Sequence, residues 1–258
     1  MTLTTNRALP GATVHRRTRF FLGLAIAMLT LVVVGFARTF YLRPFFGAID
    51  GPTRGATLPW HLVVHGSVMT AWFSLVVTQT LLIANRNVAL HRRLGIAGAA
   101  LAVPVIVVSM FTVVEFVVRR EAAGIAIDER QHGVVVGDTL NMLLYFPLFF
   151  GAALYLRRFP AAHKRLMLLA GLVMFDPVVA RYFTLFSLVG QPIYLLTAVS
   201  PVSLLLVLFG YDIATRKRPH WATVCGIVWA SLSRGPFATW LYFTPPANAY
   251  VEWLRHLG

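Results

Sequence analysis

Charged residues are scarce in this chain of 258 residues: they make up 12% of it, whereas 58% of the residues are hydrophobic. A soluble domain carries roughly 25% charged residues, and a water-exposed surface could not be covered with half that number. The shortage excludes a soluble globular protein, and the high hydrophobic content excludes a disordered chain. The composition therefore indicates an integral membrane protein.

Cysteine and lysine are also nearly absent, and each absence removes a class of site. Cys225 is the single cysteine, so neither an internal disulfide nor an iron–sulfur cluster is possible. The two lysines, Lys164 and Lys217, lie outside the apolar runs, which leaves no buried amine for a retinal Schiff base. No glycine-rich nucleotide-binding pattern occurs in a strand–helix context, so no ATP-driven step is predicted.

Acidic residues are few as well: nine Asp and Glu stand against 23 Lys and Arg, for a formal net charge of +14. Such an excess can serve nucleic-acid binding. Here, however, the cations occur in short clusters at the ends of apolar runs, where they orient helices in a membrane. The predicted partner is therefore the lipid bilayer, and no nucleic-acid partner is expected.

Seven apolar stretches are long enough to cross a bilayer, for which a helix needs about 20 residues. Prolines between them end the helices. The predicted fold is all-α, a polytopic domain of seven transmembrane helices over residues 20–243, with a basic segment 1–19 before it and a short external tail 244–258 after it. The spans, numbered 1 to 7, cover about 20–41, 58–84, 94–118, 134–156, 166–189, 193–213 and 221–243, and spans 2–5 form the predicted core at about 58–189.

The loops divide into two unequally charged sets. Segment 1–19 and the alternate connections after it hold fourteen cations and no carboxylate, whereas the opposite connections hold seven cations together with five carboxylates. The positive-inside rule then places the N-terminus inside and, with seven spans, the C-terminus outside. This pattern fits a multi-pass protein of a bacterial inner membrane.

Several polar residues lie inside the predicted spans, where a charge costs about 2.5–3.5 kcal/mol on insertion scales. They form a layer in the outer half of the membrane, in which formal charges roughly cancel. A structural network of two carboxylate–arginine pairs explains such a layer, and a binding or proton-handling site explains it equally well. The residues of this layer are Asp138, Asn141, Asp176, Arg181 and Arg234, with His65 beside them.

One histidine is assigned to each of the predicted helices 2 to 5, namely His65 on helix 2 and, at the starts of helices 3, 4 and 5, His91, His132 and His163. A low-spin b-type haem needs two imidazoles at matching depth. His91 and His163 match at the inner ends of their spans, while His132 lies about 10 Å shallower than His65. This alternation resembles the ascorbate-reducing transmembrane cytochrome b family, in which helices 2 and 4 hold one haem and helices 3 and 5 the other. The resemblance implies haem b, electron transfer, and a quinone or a membrane protein as partner.

A second similarity covers most of the chain. It rests on His65-Gly66 with Thr70-Ala71-Trp72, on His91-Arg92-Arg93-Leu94-Gly95 and on His163-Lys164-Arg165-Leu166-Met167. These strings are similar to those of a broad set of uncharacterised bacterial multi-pass membrane proteins. That similarity implies a membrane fold and carries no activity with it.

Three functions are compatible with these features. The leading hypothesis is a haem-binding redox protein that uses the four histidines. The alternative is a cofactor-free transporter, ligand-binding protein or accessory subunit of a membrane complex that uses the polar layer. The third is a metal-dependent intramembrane hydrolase with His65 and Asp138 as ligands and His61 or His132 as the third. The last helix, however, lacks the H-x-x-x-H of the seven-span zinc hydrolases.

Overall fold

The computed structural model describes residues 10–46, 57–188, 200–234 and 236–257. Within these ranges the chain forms helices and short turns, with no β-strand, which confirms the predicted all-α class. The helices are α1 Pro10–Phe36, a π-helical segment Ala37–Tyr41, α2 Arg43–Phe46, α3 Trp60–Ala84, α4 Val88–Ala122, α5 Glu129–Leu140, a second π-helical segment Asn141–Tyr145, α6 Phe146–Tyr155, α7 Pro160–Leu172, α8 Asp176–Leu188, α9 Pro201–Arg216, α10 Trp221–Arg234, α11 Pro236–Tyr242 and α12 Pro245–Arg255.

Four helical stretches are long and apolar enough to cross a membrane, namely Thr18–Tyr41, Trp60–Ala84, Val88–Ala122 and Glu129–Tyr155. They correspond to predicted spans 1 to 4, and they confirm the prediction of a membrane protein. The third is longer than expected, because the Asn87 side chain accepts a hydrogen bond from the Leu90 N–H and caps the helix before the apolar run begins.

Predicted spans 5 to 7 are not continuous long helices in the described residues. Span 5 is divided into α7 and α8. Pro177 has no backbone N–H, and its ring would clash with the preceding turn of a continuous helix. The start of span 6 lies outside the described residues, and α9 has 16 residues. Within span 7 the structure describes α10 up to Arg234 and α11 from Pro236. The structure therefore supports four of the seven spans.

The turns at 85–87, 156–159 and 217–220 lie at one end of the bundle, here named the basic end after the cations around them. His91 and His163 meet there with ring centroids 6.5 Å apart, and the Arg165 side chain reaches Asp212. The opposite, distal end contains the turn at 123–128 and helix α12, in which Arg255 lies 3.8 Å from Glu121. Helix α12 falls within the predicted tail.

The core is built from aromatic and aliphatic side chains of helices along the whole chain. Trp72 packs edge-on against Phe146 and Phe150, with ring centroids 5.1 and 5.4 Å apart. Gly226 on α10 allows close approach to its neighbours, because a Cβ there would collide with Leu169 and Leu205. This packing brings α7, α9 and α10 together.

Candidate functional site

The polar layer is built around Asp176, the first residue of α8. One carboxylate oxygen forms an ion pair with the Arg234 guanidinium, and the other accepts a hydrogen bond from the Asn141 amide nitrogen at 3.0 Å. Three of the five residues predicted for this layer therefore meet in one cluster. We refer to Asp138, Asn141, Asp176 and Arg234 as the Asp176 site.

Two of the three contacting residues, Asn141 and Asp176, lie where a helix is interrupted. Asn141 opens the π-helical segment between α5 and α6, Asp176 follows the break after α7, and Arg234 is the last residue of α10. Interruptions of this kind free backbone groups from the helical hydrogen-bond ladder, and π-helical insertions occur frequently at functional sites. The irregular backbone of two separate elements and the described end of α10 thus meet at one ion pair.

Arg234 is fixed by contacts beyond Asp176. Its second terminal nitrogen donates to the Ser233 hydroxyl at 2.9 Å, and its guanidinium lies 4.6 Å from the ring centre of Trp229. The Tyr242 hydroxyl donates to the Ser233 carbonyl at 2.9 Å. Because Trp229 is 2% exposed, the aromatic face holds the cation in a defined position.

Asn141 carries an unsatisfied acceptor. The side chain is 2% exposed, and its amide nitrogen is used on Asp176, but its amide oxygen Oδ1 is buried without a hydrogen-bond partner in the described structure. A buried acceptor without a donor costs roughly 1–3 kcal/mol, and such groups are uncommon in native proteins. The Asn141 oxygen can therefore accept a hydrogen bond from a further donor.

Asp138 lies one helical turn before Asn141, so the two side chains share a face of the helix. It is half-buried and lies close enough to Asp176 and Arg234 to interact with both electrostatically. No hydrogen bond from any residue that the structure describes reaches its carboxylate. Asp138 is thus the second negative charge of the site and the less engaged of the two.

Arg181 does not form the second carboxylate–arginine pair that the sequence predicts. Its guanidinium lies over the Phe36 ring, 5.3 Å from the ring centre, and its side chain is exposed. On α8 the residue is more than one turn beyond Asp176, so it faces α1 instead of α5. The site consequently contains two carboxylates and one guanidinium, and Arg181 is not the second partner.

At the basic end the structure brings together two of the four predicted haem ligands. The rings of His91 and His163 are nearly perpendicular at 87°, with centroids 6.5 Å apart. With its amide oriented to satisfy its neighbours, Gln79 donates to His91 Nδ1 at 2.5 Å, and the Ala153 carbonyl lies 2.8 Å from His163 Nδ1. Both rings are therefore held in place by hydrogen bonds from outside the pair.

The other two predicted ligands, His65 and His132, are not brought together. His132 stacks on Phe243 with centroids 5.0 Å apart, and its Nε2 lies 3.0 Å from the Tyr242 carbonyl. His65 instead borders a cavity of about 50 Å³ that Phe40 and Met174 also line. Ligand sites usually occupy roughly 300–1,000 Å³, so this cavity is too small for a haem.

The fit of a haem to the basic-end pair is partial. Two imidazoles are the ligand set of a low-spin haem, and the structure brings the rings of His91 and His163 together. Neither of the two cavities lies between the rings, since the second holds about 10 Å³ among leucines such as Leu168 and Leu204. Gln79 donates to His91 Nδ1, which leaves the proton of a neutral ring on Nε2, and a macrocycle would require the surrounding side chains to move apart.

The ligand set predicted for a metal-dependent hydrolase is not assembled. Among the described residues, no group of three or more His, Cys, Asp and Glu side chains could hold a metal ion. His61 faces Glu115 at 4.0 Å at the distal end, and Glu115 in turn binds Arg119 at 2.9 Å. The three-ligand group that the prediction requires around His65 is therefore absent from the described residues.

The sequence analysis missed a second buried ion pair, between Arg165 and Asp212 at the basic end. The two side chains are 2% and 0% exposed, and Arg165 Nε donates to Asp212 Oδ2 at 3.2 Å. The Thr223 hydroxyl and the His220 backbone N–H donate to the same oxygen at 2.6 and 3.0 Å. The signal was available, because Asp212 is a carboxylate within an apolar run, one turn before a basic cluster.

His220 lies in the turn beside this ion pair, outside the predicted spans. Burial and the nearby Arg165 and Arg216 guanidinium groups lower the pKa of His220 from 6.5 to about 4. Its Nδ1 accepts a hydrogen bond from the Ala222 backbone N–H at 3.1 Å, which requires an unprotonated nitrogen. The neutral ring is therefore part of the closed structure at this end.

Comparison with models of known protein families, with curated proteins and with solved structures finds no match for this chain.

Proposed function

We propose that this chain is a transporter or ligand-binding protein of a membrane, and that the Asp176 site binds its polar or charged solute. The observation that carries this proposal is the convergence of three separate helical elements, two of them interrupted, on the Asn141–Asp176–Arg234 cluster. In lipid, an interrupted backbone is tolerated where it is buried in protein or lines a cavity. Discontinuous helices around a charged cluster are typical of transport sites.

Seven spans with the N-terminus inside form the membrane arrangement of this proposal. The cation clusters of the basic end would then face the cytoplasm of a bacterium. The Asp176 site would lie in the outer half of the bilayer. Asp176 and Arg234 are 38% and 22% exposed, which supports access to the pair from outside the bundle.

The proposal is tested by the accessibility of the site to water, which does not require the solute to be known. Cys225 is exposed and is first replaced by serine. Asp138→Cys is then treated in membrane vesicles with a membrane-impermeant thiol reagent, applied from each side in turn. We expect labelling from one side, as for a solute pathway.

Val103→Cys serves as the matched control, since Val103 is 63% exposed on the apolar α4 and should face lipid. It should remain unlabelled from both sides. Protection of Asp138→Cys from both sides, in a protein that elutes as a single folded species, would show a sealed structural network and overturn the proposal.

A second candidate function, electron transfer through a b-type haem, is supported by one observation, the facing rings of His91 and His163. These two residues would hold the haem iron, and a bound haem would supply a one-electron redox centre. The Ala153 carbonyl can accept the His163 Nδ1–H, a role that outer acceptors often have for ligating histidines. Gln79 donates to His91 Nδ1, so its amide would have to turn for His91 to ligate through Nε2.

An absorption spectrum of the purified protein, oxidised and reduced, tests this candidate. Sharp Soret and alpha bands that disappear in His91→Ala and in His163→Ala would support it. His132→Ala is the matched control and should keep the bands, because His132 is engaged with Phe243 and Tyr242 at the distal end. A colourless, folded protein from haem-replete cells would exclude the candidate.

A further inference from the structure

Two acceptors of the Asp176 site are not reached by its donors. Arg234 and the Asn141 amide nitrogen direct their hydrogen bonds to Asp176 and Ser233. The half-buried Asp138 carboxylate accepts no hydrogen bond from the described residues, and the buried Asn141 oxygen has no partner. An anion would add acceptors to this surplus, whereas a proton or a cation would relieve it.

The charges that face Asp138 lead to the same conclusion. Across the site it faces Asp176 on α8 and Arg234 on α10, and Tyr242 on α11 lies close enough to interact with it. The Tyr242 hydroxyl is committed to the Ser233 carbonyl. Two carboxylates against one guanidinium leave one uncompensated negative charge.

The remaining groups on the elements packed around α5 do not supply the positive charge that would balance Asp138. Tyr250 on α12 hydrogen-bonds to Thr139 at 3.0 Å, and Glu115 on α4 is paired with Arg119. Arg181 lies over Phe36. The negative charge at Asp138 is therefore balanced by no cation from these elements.

We propose that Asp138 is a proton-binding residue and that the proton is the ligand of the Asp176 site. This inference rests on the proposed function, because it names the ligand of the same site. The proton binds to one carboxylate oxygen of Asp138 and neutralises the excess charge. The resulting acid O–H lies one helical turn from the Asn141 oxygen, the acceptor that has no donor.

A metal cation fits these residues less well than a proton. Ca²⁺ takes six to eight oxygen ligands, and both oxygens of Asp176 are already engaged. Asp138 and the Asn141 oxygen are the free oxygens of the site. A proton on Asp138 needs only the Asn141 oxygen as its hydrogen-bond acceptor, and no further ligand.

Infrared difference spectroscopy of the whole protein in proteoliposomes, titrated with pH, tests the assignment directly. We expect one carboxylic-acid C=O band that appears on acidification, shifts in D₂O and is lost in Asp138→Asn. Glu115→Gln is the matched control and should retain the band. Asp138→Glu keeps a carboxyl group and should show a shifted band, so the test survives if the Asn variant does not fold.

A band that is unchanged in Asp138→Asn, or that never appears, overturns the inference. A titration midpoint that moves with the concentration of Na⁺, against an organic cation control, would replace the proton by a metal cation. Labelling of Asp138→Cys without the infrared band would refute the proton while the transport site stands. The band with a fully protected Asp138→Cys would refute the transport site while the protonated residue stands.

Discussion

The two Arg–Asp pairs in the described part of the chain use the same chemistry in opposite ways. At the basic end, Asp212 is completely buried and takes hydrogen bonds from Arg165, Thr223 and the His220 backbone. At the Asp176 site the carboxylate is 38% exposed, and the neighbouring Asn141 oxygen has no donor. A pair whose acceptors are all hydrogen-bonded can only hold helices together. A pair beside an acceptor without a donor can also bind a ligand.

The largest effect is expected from breaking the saturated pair. Asp212→Asn leaves the Arg165 guanidinium buried without its counter-charge, and breaking a buried pair in this way costs about 3–5 kcal/mol. The free energy of unfolding in detergent, from denaturant titration, measures the loss. An Asp212→Asn protein as stable as the parent would show that the pair does not hold α7 to α9.

The double variant Arg165→Met with Asp212→Leu is the control for this prediction. Replacing both charges by apolar side chains of similar size removes the uncompensated charge, and such replacements are often neutral. We therefore expect the double variant to be more stable than Asp212→Asn alone.

The second effect is a pH dependence of stability at the same end. Because the pKa of His220 in the folded protein is about 4, below its ordinary 6.5, the unfolded chain binds more protons between these values. The contribution of the neutral His220 ring to the free energy of unfolding is complete above pH 6.5. It is lost as the pH falls to 4, by at most about 3 kcal/mol. Thermal unfolding in detergent across this range measures it.

His220→Asn sharpens the pH experiment, because its amide oxygen can accept the Ala222 N–H without titrating. The variant should show a smaller loss of stability between pH 6.5 and 4 than the parent. Equal slopes for the two proteins would mean that other groups, and not His220, cause the acid sensitivity.

A smaller effect on stability is expected at the Asp176 site. Asp176→Asn removes the ion pair with Arg234, but partly exposed pairs contribute about 1 kcal/mol or less. The free energy of unfolding should therefore change much less than in Asp212→Asn, although the cluster at the interrupted helices is disrupted. A loss as large as that of Asp212→Asn would make the two pairs equivalent and remove the contrast between them.

The cost of burying charge was sufficient to predict much of this site from sequence. Asp176 and Arg234 stand out because they interrupt apolar runs, and Asn141 lies one turn from Asp138 on the same run. Sequence could not supply the lateral pairing, which depends on how each helix is rotated against its neighbours. Arg181, at nearly the same depth, consequently faces Phe36 instead of a carboxylate.

The two histidine pairs illustrate the same limit. His91 and His163 each follow a turn at the same end of the bundle, so matching depth predicted their proximity correctly. His132 was assigned by its order along the chain, but its ring stacks on Phe243 from the last part of the chain. Asp212 was missed because its partner, Arg165, reads in sequence as one more cation at a membrane interface.

The smallest effect should come from Arg181, and it tests which arginine belongs to the site. Cation–π contacts at exposed positions contribute about 0.5–1 kcal/mol, so Arg181→Gln should lower stability by no more than this and leave the Asp138 infrared band at its parental midpoint. Arg234→Gln removes the cation that faces both carboxylates. Loss of the Arg234 charge favours the protonated form of Asp138, so the infrared band of Asp138 should persist to higher pH. A midpoint that moves in Arg181→Gln and not in Arg234→Gln would restore the second ion pair and reverse the assignment of charges in the layer.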